Sequence, residues 1–184
     1  MRDAGAMSEA LQELIEIASR HARGRQTRTA VPRISIGRSE RATAPMPGVW
    51  GSGTLFVLQG AKTVLIGDRA LRYNPASYFI YTVETPTISQ IVDASAPRPY
   101  LAIGLTLDLQ AVAALLVEHG PTLGGDSFST SPVDDDLLDA LRRMMRLLDR
   151  PAEIPVLATM LEREILFRLL QGPQGGKLRE LARA

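Results

Sequence analysis

Two hydrophobic periods divide this chain. Between residues 8 and 20 the apolar positions Leu11, Leu14, Ile15 and Ala18 recur at helical spacing, which predicts a helix capped by Ser8 and stopped by Gly24. From Arg33 the period shortens. Apolar or alternating runs at 33–36, 54–58, 62–66, 70–73 and 78–83, then longer ones around 87–93 and 100–107, predict strands. Turn residues separate them: Gln59-Gly60-Ala61, Gly67-Asp68 and Asn74-Pro75-Ala76-Ser77. Strands this short and evenly spaced predict a small antiparallel barrel or jelly roll over residues 31–107.

Helical signals return afterwards. Asp108 is placed to cap a helix carrying Val112, Leu115 and Leu116, which Gly120-Pro121 ends, and residues 121–130 read as a polar loop. In Ser131-Pro132-Val133-Asp134 the serine reads as a helix cap and the proline as the first helical residue. Asp134, Asp135 and Asp136 then fill the first turn, with Arg142, Arg143 and Arg146 later, the order a helix dipole favours. Pro151 breaks that helix, Pro155 opens another, and Gly172-Pro173 stops it, giving a helical hairpin. Its first helix carries one apolar stripe, Leu137, Leu138, Leu141, Met144, Met145 and Leu148. Its second, with Val156, Leu157, Met160, Leu161, Ile165, Leu166, Phe167, Leu169 and Leu170, is apolar around most of its circumference and must be covered on more than one side.

The predicted class is therefore α+β. An N-terminal helix and linker (1–30) precede a small antiparallel barrel (31–107), and a C-terminal helical region follows (108–184). A chain of 184 residues with 45% hydrophobic and 22% charged content can build such a core without cross-links. It has no cysteine, which excludes disulfides, thiolate nucleophiles and thiolate metal sites. The N-terminus lacks the apolar run of a signal peptide and no segment is long enough to span a bilayer, so a cytoplasmic location is expected. Lys plus Arg number 21 against 20 Asp plus Glu, a net charge of +1. So balanced a chain should bind DNA poorly by itself, since phosphate neutralisation supplies much of such affinity.

Catalytic and metal chemistry find little support. The two histidines, His21 and His119, fall near predicted helix C-termini rather than on strands, so no metal centre and no cofactor is expected. There is no Gly-x-Ser-x-Gly elbow, and Gly51-Ser52-Gly53 and Gly124-Gly125 lack the phosphate-loop context and read as turns. Three consecutive aspartates on a helix point apart and cannot converge on one ion. Glu164 and Arg168 form a structural i,i+4 pair. What remains is a set of barrel aromatics, of which Trp50, Phe56, Tyr78, Tyr81 and Tyr100 are the candidates for lining a small-molecule pocket, because Tyr and Trp join apolar area to a polar handle. Strand alternation turns Tyr78 and Ile80 one way and Phe79 and Tyr81 the other, so only part of this set can share a cavity.

The segment running from Phe56-Val57-Leu58-Gln59-Gly60 to Tyr73-Asn74-Pro75-Ala76-Ser77-Tyr78 resembles the N-terminal domain of AraC-type bacterial transcription regulators. So, in the same order, do Ile88–Ser95, Arg98–Ile103 and Leu161–Gly175, and the resemblance covers roughly residues 45–181. It implies a cupin-like barrel that receives a small-molecule effector, helices that pair two copies, and a DNA-binding helix-turn-helix part lying outside this chain. It implies a non-enzymatic sensor that meets DNA only through that part, and a homodimer in which Leu161, Ile165 and Leu169 meet their counterparts. Two departures stand out. Val49-Trp50-Gly51-Ser52-Gly53-Thr54 lacks the Tyr-Glu-Pro of many relatives, and cupin metal histidines are missing. A cupin-type enzyme and a purely structural dimerisation module are the alternative readings.

Overall fold

The computed structural model describes residues 4–81, 85–120, 125 and 129–183, with backbone alone for 4–8 and 85. Helix α1 (Ala4–His21) leads into nine strands: β1 (Gln26–Arg28), β2 (Ile34–Ser39), β3 (Met46–Trp50), β4 (Gly53–Gln59), β5 (Ala61–Ile66), β6 (Arg69–Tyr73), β7 (Ser77–Tyr81), β8 (Thr85–Asp93) and β9 (Tyr100–Thr106). Then follow α2 (Leu109–His119), the short strand β10 (Ser131–Pro132), α3 (Asp135–Arg146), two single 3-10 turns at 147–149 and 151–153, α4 (Ile154–Gln171) and α5 (Gly175–Leu181).

The strands form two antiparallel sheets, of order β1-β2-β9-β4-β7-β10 and β3-β8-β5-β6, facing one another as a jelly-roll-like sandwich. The α+β class and the antiparallel sheets are as the sequence pattern predicted. Alternation assigns the faces. Val57, Phe79, Tyr100 and Ala102 of the larger sheet meet Val64, Leu71, Tyr73 and Ile91 of the smaller one inside the sandwich. Phe56, Tyr78, Ile80, Leu101, Ile103 and Leu105 point the other way, into a second core built with the helices. Leu14, Ile17 and Ala18 of α1 pack in that core with Leu137, Leu141 and Met144 of α3, so the two ends of the chain form one helical layer over the larger sheet.

Glycine is required where backbone and ring come close. Gly60 turns β4 into β5 at a φ of +75°, and a Cβ there would sit 2.4 Å from the Asp93 carbonyl oxygen. A Cβ on Gly53 would lie 2.8 Å from the Tyr81 hydroxyl and 2.9 Å from the Leu105 carbonyl. Hydrogen removes both clashes.

The helix punctuation largely follows the sequence. Asp108 accepts from the Gln110 and Ala111 amides, Gly120 closes α2 and Gly172 closes α4. One cap differs. Ser131 does not start α3; it pairs with Tyr78 as the edge strand β10, and Asp134 caps the helix instead, accepting from Leu137 N at 2.8 Å. Proline is tolerated on a sheet edge as readily as at a helix start, so Pro132 fits both assignments. The strands β1 and β10 lie outside residues 31–107, so the larger sheet draws on chain from both sides of that segment. The expected extension of β7 to residue 83, and most of the 121–130 loop with Gly124, lie outside the described residues.

Candidate functional site

At one end of the sandwich the sheets part. Between them a cavity of about 430 Å³ opens to solvent, lined by Gln26 and Ser35 of β1 and β2, the Trp50-Gly51-Ser52 turn, Leu55 of β4, Lys62 of β5, Tyr81 of β7, and Gly104 and Thr106 around β9. Trp50 and Tyr81 form one wall, their ring centroids 5.0 Å apart and their planes tilted by 59°. The room for Tyr81 comes from Gly53 directly opposite it in the β4–β7 ladder. Gly104, paired with Ser35 and Leu55, leaves the floor of the cavity open.

The charged group of this site is Lys62. It shares the inward face of β5 with Val64 and Ile66, and its Nζ lies 4.6 Å from the centre of the Trp50 ring, a cation–π contact. Burial pushes its ammonium down to about 8, and the positive charge of Arg25 adds to that. Next to β5, strand β8 carries an extra residue where the pairing shifts between Ala61 and Lys62, the kind of bulge that re-aims a side chain. Burial pushes the Tyr81 phenol up to about 12. Beneath, Tyr73 and Tyr100 are held in the sandwich interior, within electrostatic reach of Tyr81, and their buried hydroxyls have no hydrogen-bond partner among the described residues. The site therefore offers an aromatic wall, one cation and neutral hydroxyls.

Of the five aromatics predicted for a pocket, Trp50 and Tyr81 line this cavity and Tyr100 lies in the sandwich interior near Tyr81. Phe56 and Tyr78 are not with them. Both are fully buried on the opposite face of the larger sheet, 5.8 Å apart between centroids, where they pack against the helices. Strand parity separates the two sets. Lys62 is not among the five aromatics, although its signal is in the sequence: a lysine on the same strand face as Val64 and Ile66.

The residues predicted to meet across a dimer axis, Leu161, Ile165 and Leu169, are placed in the protomer's own core. The large hydrophobic side chains that α4 leaves at the surface are Val156 and Met160, exposed to 68% and 64%. Glu162 of α4 is buried and takes a two-pronged hydrogen bond from Arg33, one arm of it 2.6 Å long. Gln174, wholly buried just before α5, accepts from Ile80 N at 2.9 Å and donates to Tyr78 O at 3.2 Å and to Ser131 Oγ at 2.8 Å. It thus extends the ladder along the edge of β7. The histidines stand at helix ends: His21 bonds Asp149 at 2.7 Å, and His119 packs on Phe167. Among the described residues no three of His, Asp and Glu converge as a metal site, and no helix is long and apolar enough to cross a membrane.

Among solved structures the chain is similar to the AraC-like transcriptional activator CuxR, with 12% identity, a TM-score of 0.44, and coverage of 74% of this chain and 51% of that one. It is similar to apo ToxT from Vibrio cholerae, with 7% identity, a TM-score of 0.44, and coverage of 75% and 59%. It is also similar to the cupin domain of Schizosaccharomyces pombe Cnp3, with 15% identity, a TM-score of 0.31, and coverage of 46% and 64%. The chain thus spans about half of CuxR and less than two thirds of ToxT. No curated protein matches it. The family described as AraC-type transcriptional regulator N-terminus matches residues 30–177, most of the chain, and to that family the chain belongs.

Proposed function

We propose that this chain is the sensing and self-association half of a cytoplasmic transcription regulator. A small-molecule effector enters the cavity between Trp50, Tyr81 and Lys62, a dimer forms through the helices, and a separate helix-turn-helix domain contacts DNA. The observation that carries the sensor reading is the cavity itself. It is a solvent-open space in which an aromatic wall, Trp50 and Tyr81, faces converging polar side chains, Gln26, Ser35, Lys62 and Thr106, a combination able to hold and orient a small molecule. The regulator-domain family to which the chain belongs supports reading the site as binding without chemistry.

The dimer is assigned to the exposed face of α4, through Val156 and Met160, because Leu161, Ile165 and Leu169 are already covered. Two copies held this way would set two DNA-binding halves at fixed spacing. A thermal-shift screen of metabolite classes tests the sensor reading. A ligand at a hundredfold excess over its Kd raises stability by about 2.7 kcal/mol. Stabilisation by one chemical class, lost on Trp50→Ala, is expected; silence across all classes would leave only a structural module.

A further inference from the structure

We propose that the cavity takes a small organic carboxylate with an apolar body, its charge set against the Lys62 ammonium and its body against Trp50 and Leu55. The inference deepens the sensor reading and rests on it. Three observations carry it.

The first is a charge without a counter-charge. Lys62 is the single cation among the ten lining residues, Arg25 lying outside the lining, and none of the ten is an aspartate or glutamate. Among the described residues Lys62 makes no ion pair, although most arginines of the protein do, including Arg33, Arg142, Arg143, Arg146, Arg163 and Arg168. An inward-facing cation in a cavity that the chain leaves without an anion is complementary to an anionic guest.

The second is the single cation. A phosphate ester carries up to two charges and many acceptors, and calls for several N–H donors or a guanidinium fork. Here one ammonium faces a wall of Trp50, Leu55 and the Tyr81 ring, which suits one carboxylate on an apolar body. The third is the neutral polar lining. Gln26 and Ser35, 3.3 Å apart, together with Thr106 and the Tyr81 hydroxyl, give donors for the second carboxylate oxygen without adding charge.

Trp50 is the only tryptophan, so its emission reports this cavity directly. The experiment titrates benzoate and hexanoate into the full chain, with benzamide and hexanamide as neutral isosteres, and repeats this for Lys62→Met and Thr106→Asp. Thr106 is exposed at the rim, so its variant keeps the fold intact should Lys62→Met misfold. A saturable change in Trp50 emission with at least one carboxylate is expected, and both variants should weaken it by about tenfold or more while amide binding changes far less. Carboxylates bound no better than amides, no response to either carboxylate, or Thr106→Asp binding as wild type would overturn the inference. If carboxylates fail while a neutral metabolite stabilises the protein, the anion assignment falls and the sensor reading stands. If neither class binds, both fall.

Discussion

Arg33 and Glu162, 129 residues apart, join the loop between β1 and β2 to the middle of α4 through a two-pronged ion pair, with Asp108 3.6 Å from the same guanidinium. Arg33 holds this position at a φ of +62°, a left-handed conformation that costs a non-glycine residue about 1–2 kcal/mol. The carboxylate is buried and the guanidinium about a third exposed.

Arg33→Met should therefore destabilise by about 2–3 kcal/mol, chiefly because Glu162 is left buried and unpaired, a cost discounted here for the exposed guanidinium. Arg33→Met with Glu162→Leu should recover most of that loss. Urea denaturation of the two single variants and the double one gives the coupling. A double variant as unstable as the sum of the singles would show that the pair is not the source.

Self-association is expected to fail in a Val156→Glu, Met160→Glu variant while the monomer keeps its stability, since both side chains are mostly exposed within the protomer. Leu161→Glu should instead unfold the chain, by about 3 kcal/mol or more, because it forces a carboxylate into the core. Sedimentation velocity and denaturation, run on the same samples, separate the outcomes. Dimers that persist in the double variant would move the interface elsewhere.

Gly53→Ala places a methyl group against the Tyr81 ring and the Leu105 carbonyl. Overpacking of this kind costs about 1–3 kcal/mol. Because Tyr81 packs at a tilt against Trp50, the variant should also shift Trp50 emission in the absence of any ligand. Unchanged emission together with unchanged stability would show that the site yields freely.

Acid should loosen the helical layer before it affects the sandwich. The hydrogen bond from Arg146 holds Glu13 below its ordinary value, and that from His21, with Arg20, does the same for Asp149. Burial pulls Asp139 and Glu164 upward, yet their arginine hydrogen bonds win and both end low. Each folded pKa lies below its unfolded one, so this stability is complete above the ordinary carboxylate values and is lost as pH falls through the folded ones, below about 4. With these groups partly exposed, the total is about 1–3 kcal/mol. Urea midpoints across pH 2.5–6 check this, and Glu13→Gln should flatten part of the slope.

Strands with strong alternation and helices with polar caps were legible, as Asp108, Gly120 and Gly172 show. Strand β1, Gln26-Thr27-Arg28, was not, because an edge strand of polar residues has no apolar face to betray it. Nor was β3, whose Pro47 and Gly48 disfavour a strand and are tolerated because it borders its sheet. The pocket was half legible. Parity could split Tyr78 from Tyr81, but which set looks inward depends on where the helices lie, and Phe56 and Tyr78 went to them. For α4 the sequence showed an all-round apolar helix without showing that it packs among α2, α3 and α5 with Leu161, Ile165 and Leu169 buried and Val156 and Met160 left out.

Gln174 gives the molecule a mechanical linkage. Its amide is clamped to the backbone of β7 at Tyr78 and Ile80, and Lys177, one turn into α5, reaches the Ile80 carbonyl and lies 3.6 Å from the centre of the Phe79 ring. The next residue along that strand is Tyr81, a wall of the cavity. A tug on α5 is thus resisted by the same few residues of β7 that a guest would press upon from the other end, and the strand works as a short rigid lever. The anchor of α5 and the wall of the cavity thus share a single piece of backbone.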